Sequence, residues 1–125
     1  MPLSPGGSAL THTLLLAPVS INTTTTSAQI DISTYEGDLV FIQQIGVVTS
    51  GTVASKVQSA TASGGTYGDV TGGGFTAVTT ANDPLTEAVV VKQNACNAWV
   101  QVLSTVTTGA MLASLSLAGT KKYRA

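Results

Sequence analysis

The chain has 125 residues, enough for one domain with a modest core and too few for two ordinary domains. Only 9% of the residues are Asp, Glu, Lys or Arg, against about 25% in an average soluble domain, while 43% are hydrophobic, which excludes the composition of a disordered chain. A surface with so few charges repels other copies weakly, so the composition predicts a protein that works in an assembly.

The sequence in chain order reads mainly as short strands. Residues 10–17 are ambiguous, but Pro18 prevents their continuation as a helix. Residues 28–33 alternate apolar and polar side chains, as a half-buried strand does. Residues 39–48 begin apolar on both faces, which is typical of a central strand in a sandwich. Further strands are predicted, with Gly-, Ser- or Thr-rich turns between most of them, near residues 53–58, 66–70, 75–78, 86–93, 98–105 and 111–117.

About eight short strands at near-regular spacing predict an all-β fold, a single antiparallel β-sandwich or jelly-roll-like domain. We expect this domain to occupy residues 10–118. A flexible N-terminal arm over residues 1–9 and a flexible basic C-terminal tail over residues 119–125 are expected to flank it.

The residue types needed for catalysis are scarce. His12 is the single histidine, and it lies beside a Gly- and Pro-containing N-terminal segment. Asp31, Glu36 and Asp38 are close in sequence, but they surround a turn in which Asp and Gly are expected for backbone reasons. The Gly-rich stretches at residues 63–65 and 72–74 lack the Lys and the helix of a phosphate loop. We therefore predict no enzymatic activity, no cofactor and no metal site.

The cysteine and the aromatic residues favour structural roles. A lone Cys96 excludes an intramolecular disulfide and a cysteine-based zinc site, and we expect it to be a small buried hydrophobe. Trp99 alternates within an apolar segment and is expected in the core. Tyr35 and Tyr67 stand at strand starts, where the ring packs and the hydroxyl remains in water.

Charge and hydropathy restrict the classes of partner and the location that we expect for the protein. The net charge of −1 argues against nucleic-acid binding by the whole chain, although Lys121, Lys122 and Arg124 are concentrated in the last five residues. The longest wholly apolar run, residues 14–17, is far shorter than the roughly 20 residues of a membrane helix. Residues 1–20 contain no Lys or Arg and make a poor secretory signal, so an unprocessed intracellular product is expected.

Several segments in order resemble the small capsid decoration proteins of tailed bacteriophages, also called cement or head-stabilising proteins. The likeness spans residues 10–117. The segments that carry it are 34–41 (TYEGDLVF), 51–60, 65–70 (GTYGDV), 98–103 (AWVQVL) and 107–109 (TTG). Gln101 departs from the more basic character of related chains at this strand.

The resemblance implies a structural virion protein made in the cytoplasm of an infected bacterium. It would decorate the outer surface of an icosahedral capsid, bridge major capsid protein subunits and form a homo-oligomer, with a trimer favoured over a dimer. The expected capsid or oligomer contacts are in the two terminal segments, at Leu3, Leu10, Lys121, Lys122, Tyr123 and Arg124. Two alternatives remain: another virion component, such as a head fibre or tail-associated subunit, and a non-viral β-sandwich that binds carbohydrate.

Overall fold

The computed structural model describes residues 10–33, 35–48, 50–92 and 96–121, and within these ranges it contains strands and no helix. Every strand pairing is antiparallel, and the two sheets form a sandwich. The predicted fold class is confirmed. The strands are β1 (Leu10–Ile21), β2 (Thr25–Thr26), β3 (Ile30–Asp31), β4 (Tyr35–Ile45), β5 (Thr52–Ala60), β6 (Gly68–Gly74), β7 (Leu85–Lys92), β8 (Trp99–Thr107) and β9 (Met111–Lys121).

The pairing is that of one long hairpin rolled into two sheets. Sheet 1 has the order β1-β9-β4-β7, and sheet 2 has the order β2-β8-β5-β6, with β3 also paired to β8. When β2 and β3 are taken as one interrupted strand, the eight resulting strands pair first with last, second with seventh, third with sixth and fourth with fifth. This nested pairing across two four-stranded sheets is the jelly-roll topology.

The observed ends of two strands extend or correct the sequence expectations. The ambiguous residues 10–17 form the first part of β1, an edge strand in which Pro18 is tolerated beside irregular pairing with β9. At the other terminus β9 continues to Lys121, because Gly119 pairs with Thr11 and Lys121 with Tyr35. Residues 119–121 are therefore strand, not tail.

The connections at one end of the sandwich are tightly packed. This end carries the β4–β5 and β8–β9 connections. Gly51 has a φ of 78°, and a Cβ atom there would lie 1.9 Å from the Thr108 carbonyl oxygen. Gly109 has a φ of 83° and would clash with the backbone of Ser50 in the same way. Glycine is required at both positions for conformational and steric reasons.

The core consists of two apolar clusters between the sheets. The larger cluster includes Phe41, Val57 and Leu117, and the smaller includes Ile45, Val53 and Met111. Alternation along each strand produces these clusters, since every second side chain points inward.

Tyr35 departs from its predicted environment. Its side chain is almost fully buried in the larger cluster, and its hydroxyl lies 3.3 Å from Thr13 Oγ1. The expectation of a hydroxyl in water was wrong. Gly119 on the neighbouring strand provides the space, because a Cβ atom there would lie 2.8 Å from the tyrosine ring.

Candidate assembly surface

Two of the six predicted contact residues lie at adjacent strand ends. Leu10 begins β1 and pairs with Thr120, while Lys121 ends β9 and pairs with Tyr35. The antiparallel pairing of β1 with β9 thus brings residues 10 and 121 to the same end of sheet 1. The other four predicted contacts lie outside the described residues, and they are Leu3, Lys122, Tyr123 and Arg124.

The outer face of sheet 1 combines apolar side chains with an absence of Asp, Glu, Lys and Arg over three successive rows. The strand register aligns these rows across β1, β9, β4 and β7. In strand order they are His12, Ala118, Val40 and Val90; then Leu14, Ser116, Ile42 and Ala88; then, from β9 onward, Ser114, Gln44 and Thr86. The first Asp or Lys on this face is the exposed Asp38–Lys92 pair beside the first row, with its charged atoms 3.7 Å apart.

Exposed large hydrophobic side chains are concentrated on the same sheet. Leu14 is 54% exposed, Val90 57% and Leu112 62%. Leu14 and Val90 lie on the two edge strands of the sheet, β1 and β7, and the partly exposed Val40 and Ile42 of β4 lie between them. Leu112 borders a shallow depression of about 250 Å³ on the outside of the sheet. Its lining comes from β1, β4, β9 and Gly46, and consists of Pro18, Gln44, Ile45, Gly46, Leu112, Ala113 and Ser114.

The outer face of sheet 2 has a different character, because its polar side chains bond to one another. Gln29 Nε2 donates to Gln101 Oε1 at 3.3 Å, and Gln101 Nε2 donates to Gln58 Oε1 at 3.0 Å. Gln58 Nε2 and Lys56 Nζ each donate to the carboxylate of Asp69 at 3.1 Å. We call this set of five residues the polar ladder. The hydrogen bonds from Gln58 and then Lys56 hold the pKa of Asp69 below its ordinary value.

The remaining chemistry-bearing residues are dispersed. His12 is exposed on the outer face of sheet 1. Among the described residues no group of three or more His, Cys, Asp or Glu could hold a metal ion. The described part of the chain also contains no helix long and apolar enough to cross a membrane.

Cys96, Trp99 and Tyr67 are each less buried than a core residue. Cys96 is half-buried against the larger cluster, and burial raises the pKa of its thiol, which keeps it protonated at neutral pH. Trp99 is half-buried as the first residue of β8, where the sandwich ends, so it is not the core residue that was predicted. Tyr67 is also half-buried and its hydroxyl donates to the Ser63 carbonyl, so its environment was predicted better than that of Tyr35.

The apolar outer face of sheet 1 was not predicted from the sequence. The expected contacts were placed in the terminal segments instead. One signal did point to this face. The start of the predicted strand 39–48 is apolar on both faces, and its outward residues Val40 and Ile42 lie in the centre of the uncharged rows.

The comparisons with known proteins identify the fold. No family model and no curated protein matches the chain. The chain is similar to one in the structure of infectious bursal disease virus, Gx strain, with a TM-score of 0.54 and 10% identity over 92% of this chain and 34% of that one. It is also similar to one in the crystal structure of the infectious bursal disease virus VP2 subviral particle, with a TM-score of 0.52 and 12% identity over 90% of this chain and 32% of that one.

These similarities define a class of fold. The chain spans about a third of the length of each of these two viral chains, and the identities are low, so the likeness concerns the fold alone. The fold is a jelly roll of the type found in viral capsid proteins.

Proposed function

We propose that the protein is a structural component of a virus particle that decorates the exterior of an icosahedral capsid of a tailed bacteriophage. In this role it stabilises the shell by bridging neighbouring major capsid protein subunits. The observation that carries the proposal is the uncharged, largely apolar outer face of sheet 1 on a jelly roll of the viral capsid type. Fold alone does not define function, and it is this surface that supports a role in assembly.

The physical properties of this face suit a contact between proteins. Burial of apolar surface contributes about 25 cal/mol per Å² removed from water, and these rows hold no Asp, Glu, Lys or Arg that would have to be desolvated. The exposed Leu14 and Val90 lie in adjacent rows of this surface. Self-association through a symmetry axis, with a trimer favoured, would also bring no like charges from these rows together.

The two chain ends support a second element of the proposal. Residues 10 and 121 lie side by side at one end of sheet 1, so segments 1–9 and 122–125 are attached at the same end of the sheet. We propose that these segments clamp adjacent capsid subunits, through Leu3 and Leu10 at the N-terminal side and through Lys121, Lys122, Tyr123 and Arg124 at the C-terminal side. Several weak contacts of this kind add up through effective concentration.

The main experiment is co-sedimentation of the purified protein with particles of the virus that encodes it, followed by cryo-electron microscopy of those particles. We expect stoichiometric binding and symmetric density on the capsid exterior. Density at a head fibre or at the tail would instead identify the alternative virion component. A protein that never binds particles would contradict any virion role.

The clamp is tested separately by deletion of residues 122–125. We expect weaker particle binding at unchanged thermal stability, because the deletion leaves β9 intact up to Lys121. A deletion from residue 119 is the informative contrast, because it also removes the pairing of Gly119 with Thr11 and should lower stability. Unchanged particle occupancy after the shorter deletion would contradict the clamp.

One observation favours a second candidate, a carbohydrate-binding module. Trp99 is half-buried rather than fully buried, so part of its ring is available for stacking on a sugar. If the protein binds glycans, Trp99→Ala should abolish the binding and leave the fold intact. Absence of glycan binding in the unmodified protein would remove this candidate.

A further inference from the structure

One polar side chain in the centre of the sandwich has no hydrogen-bond partner. Gln43, in the middle of β4, is 0% exposed. Neither its Nε2 nor its Oε1 atom has a partner among the described residues. Burying a carboxamide without hydrogen bonds is strongly unfavourable, so a buried group of this kind indicates something that satisfies it.

On sheet 1, Gln43 lies at the boundary between the two apolar clusters of the core. On its own strand it lies between Phe41 of the larger cluster and Ile45 of the smaller. On the neighbouring strand β9, its register partner Leu115 belongs to the larger cluster and the next inward residue, Ala113, to the smaller.

Sheet 2 has a polar pair at the same level. Ser55 lies between Val53 of the smaller cluster and Val57 of the larger, and it pairs with Ser104 on β8. Both serines are buried, and their Oγ atoms are 2.9 Å apart. Gln43 and the serine pair therefore lie at the boundary between the same two clusters, one on each sheet, and we call these three residues the polar layer.

The serine pair leaves hydrogen-bonding capacity unused. Each hydroxyl has one hydrogen, and the bond between Ser55 and Ser104 uses only one of the two. The layer therefore offers one free hydroxyl hydrogen, two amide hydrogens of Gln43 and the acceptor Oε1. A water molecule can donate two hydrogen bonds and accept two. It can therefore bond both to the donors and to the acceptor of this layer.

We propose that the polar layer formed by Gln43, Ser55 and Ser104 binds an internal water molecule that bridges sheet 1 to sheet 2. This water satisfies the Gln43 carboxamide and receives or donates a bond at the serine pair. The site belongs to the folded domain and does not rest on the proposed function.

The decisive experiment is a high-resolution crystal structure of the unmodified protein. We expect an ordered, fully enclosed water within about 3.2 Å of Gln43 Nε2 or Oε1 and within the same distance of a serine Oγ. A dry layer, in which Gln43 bonds a serine directly or remains unpaired, would overturn the proposal. Because this experiment uses the unmodified chain, its outcome does not depend on any variant folding.

A double-mutant cycle tests the bridge in solution. Gln43→Met keeps the length of the side chain and removes its hydrogen bonds, and Ser104→Ala removes one hydroxyl. We expect the two effects on the unfolding equilibrium constant to be coupled, with the double variant differing from the product of the single effects by about threefold or more. Additive effects in this pair would contradict a shared water.

Ser27→Ala provides the matched control for the cycle. Ser27 is also a buried serine, in the connection between β2 and β3, but its hydroxyl already accepts a bond from the Val102 amide and donates to the Ala28 carbonyl. Its effect should be additive with that of Gln43→Met. Equal coupling in both pairs would show a general loss of packing and overturn the specific bridge.

Discussion

The two outer faces of the sandwich use polar and apolar side chains in opposite ways. On sheet 2, five polar or charged residues from four chain segments form the polar ladder, and each has a partner within the molecule. On sheet 1, the central rows present Val40, Ile42 and Val90 with Ala and Ser neighbours, without Asp, Glu, Lys or Arg. The outer face of sheet 2 therefore carries an internal hydrogen-bond network, whereas that of sheet 1 presents apolar surface to solvent.

The difference indicates which face is better suited to contact with another protein. Groups of the polar ladder must give up internal hydrogen bonds before they can bond to another protein, so contact there gains little. The outer face of sheet 1 loses mainly apolar surface from water when it is covered, and this contributes directly to association. Under the proposed function these differences favour sheet 1 as the assembly surface, whereas the polar side chains of sheet 2 stabilise the domain itself.

The largest expected effect comes from adding a charge to sheet 1. Ala88 is exposed in the central row, in register with Ile42. Ala88→Glu should weaken particle binding or self-association by about a hundredfold, because the contact would bury an unpaired carboxylate. Quantitative co-sedimentation and analytical ultracentrifugation measure the loss.

Ala54→Glu is the matched control for this prediction. Ala54 is also an exposed alanine within a strand, but it lies on β5 of sheet 2. We expect association to change by less than about twofold there. If both variants lost association equally, or if only Ala54→Glu did, the assignment of the two faces would be wrong.

The second prediction weakens the polar ladder. Gln101 is only 7% exposed and bonds both Gln29 and Gln58. Gln101→Ala should lower the free energy of unfolding by about 1–2 kcal/mol, since two hydrogen bonds are lost and their former partners can partly rehydrate. Association through sheet 1 should be unchanged. Urea denaturation measures the stability.

Gln44→Ala gives the contrast on sheet 1. Gln44 is exposed, and its Oε1 accepts one bond from Ser114 at 3.1 Å. Its removal should cost less than about 0.5 kcal/mol. Equal costs for the two glutamines would contradict the description of the polar ladder as an internal stabilising network.

The sequence was sufficient to predict the fold class because the strand signals are local. Alternation with period two and regular turns predict an all-β sandwich. Residues 39–48 begin with apolar side chains on both faces, which predicts a central strand, and β4 is a central strand of sheet 1. The nested pairing joins residues of β1 to residues of β9 that lie 90 to 110 positions away in the sequence, and no local pattern contains that information.

The candidate surface was harder to predict for the same reason. Val40, Val90 and Ala118 form one row only because three strands that are distant in sequence lie side by side. Some polar residues were hard to place for the converse reason, because they are buried. Ser55, Ser104 and Gln43 have the composition of a solvent-facing strand, yet the observed register directs them into the core.

The third prediction uses acid to separate the two faces. Hydrogen bonds from Gln58 and Lys56 lower the pKa of Asp69 in the folded state relative to its ordinary value of 3.8. The stability that this carboxylate contributes is therefore present above that value and is lost as the pH falls through the lower folded-state pKa. Asp69→Asn should flatten the decline of stability below about pH 4.

The decline should be reduced rather than abolished, because the Ser33 amide also lowers the pKa of Asp31. The effect is small, since Asp69 is exposed. Thermal melts of the Asp69→Asn variant and the unmodified protein between pH 2.5 and 6 make the measurement. An unchanged pH profile in the variant would show that the Asp69 end of the polar ladder contributes nothing to folding.

The smallest expected effect is that of salt on association. Exposed charges are screened over about 10 Å at 0.1 M salt and about 3 Å at 1 M, whereas apolar burial is not weakened by screening. If contact is made through the uncharged rows, particle binding by a chain without residues 122–125 should change by less than about twofold between low and high salt. At high salt, particle binding by the full chain should weaken by the amount that the basic residues Lys122 and Arg124 contribute at low salt. Strong salt dependence that persists in the shortened chain would place the main contact at charged residues, such as the Asp38–Lys92 pair, instead of at the apolar centre of sheet 1.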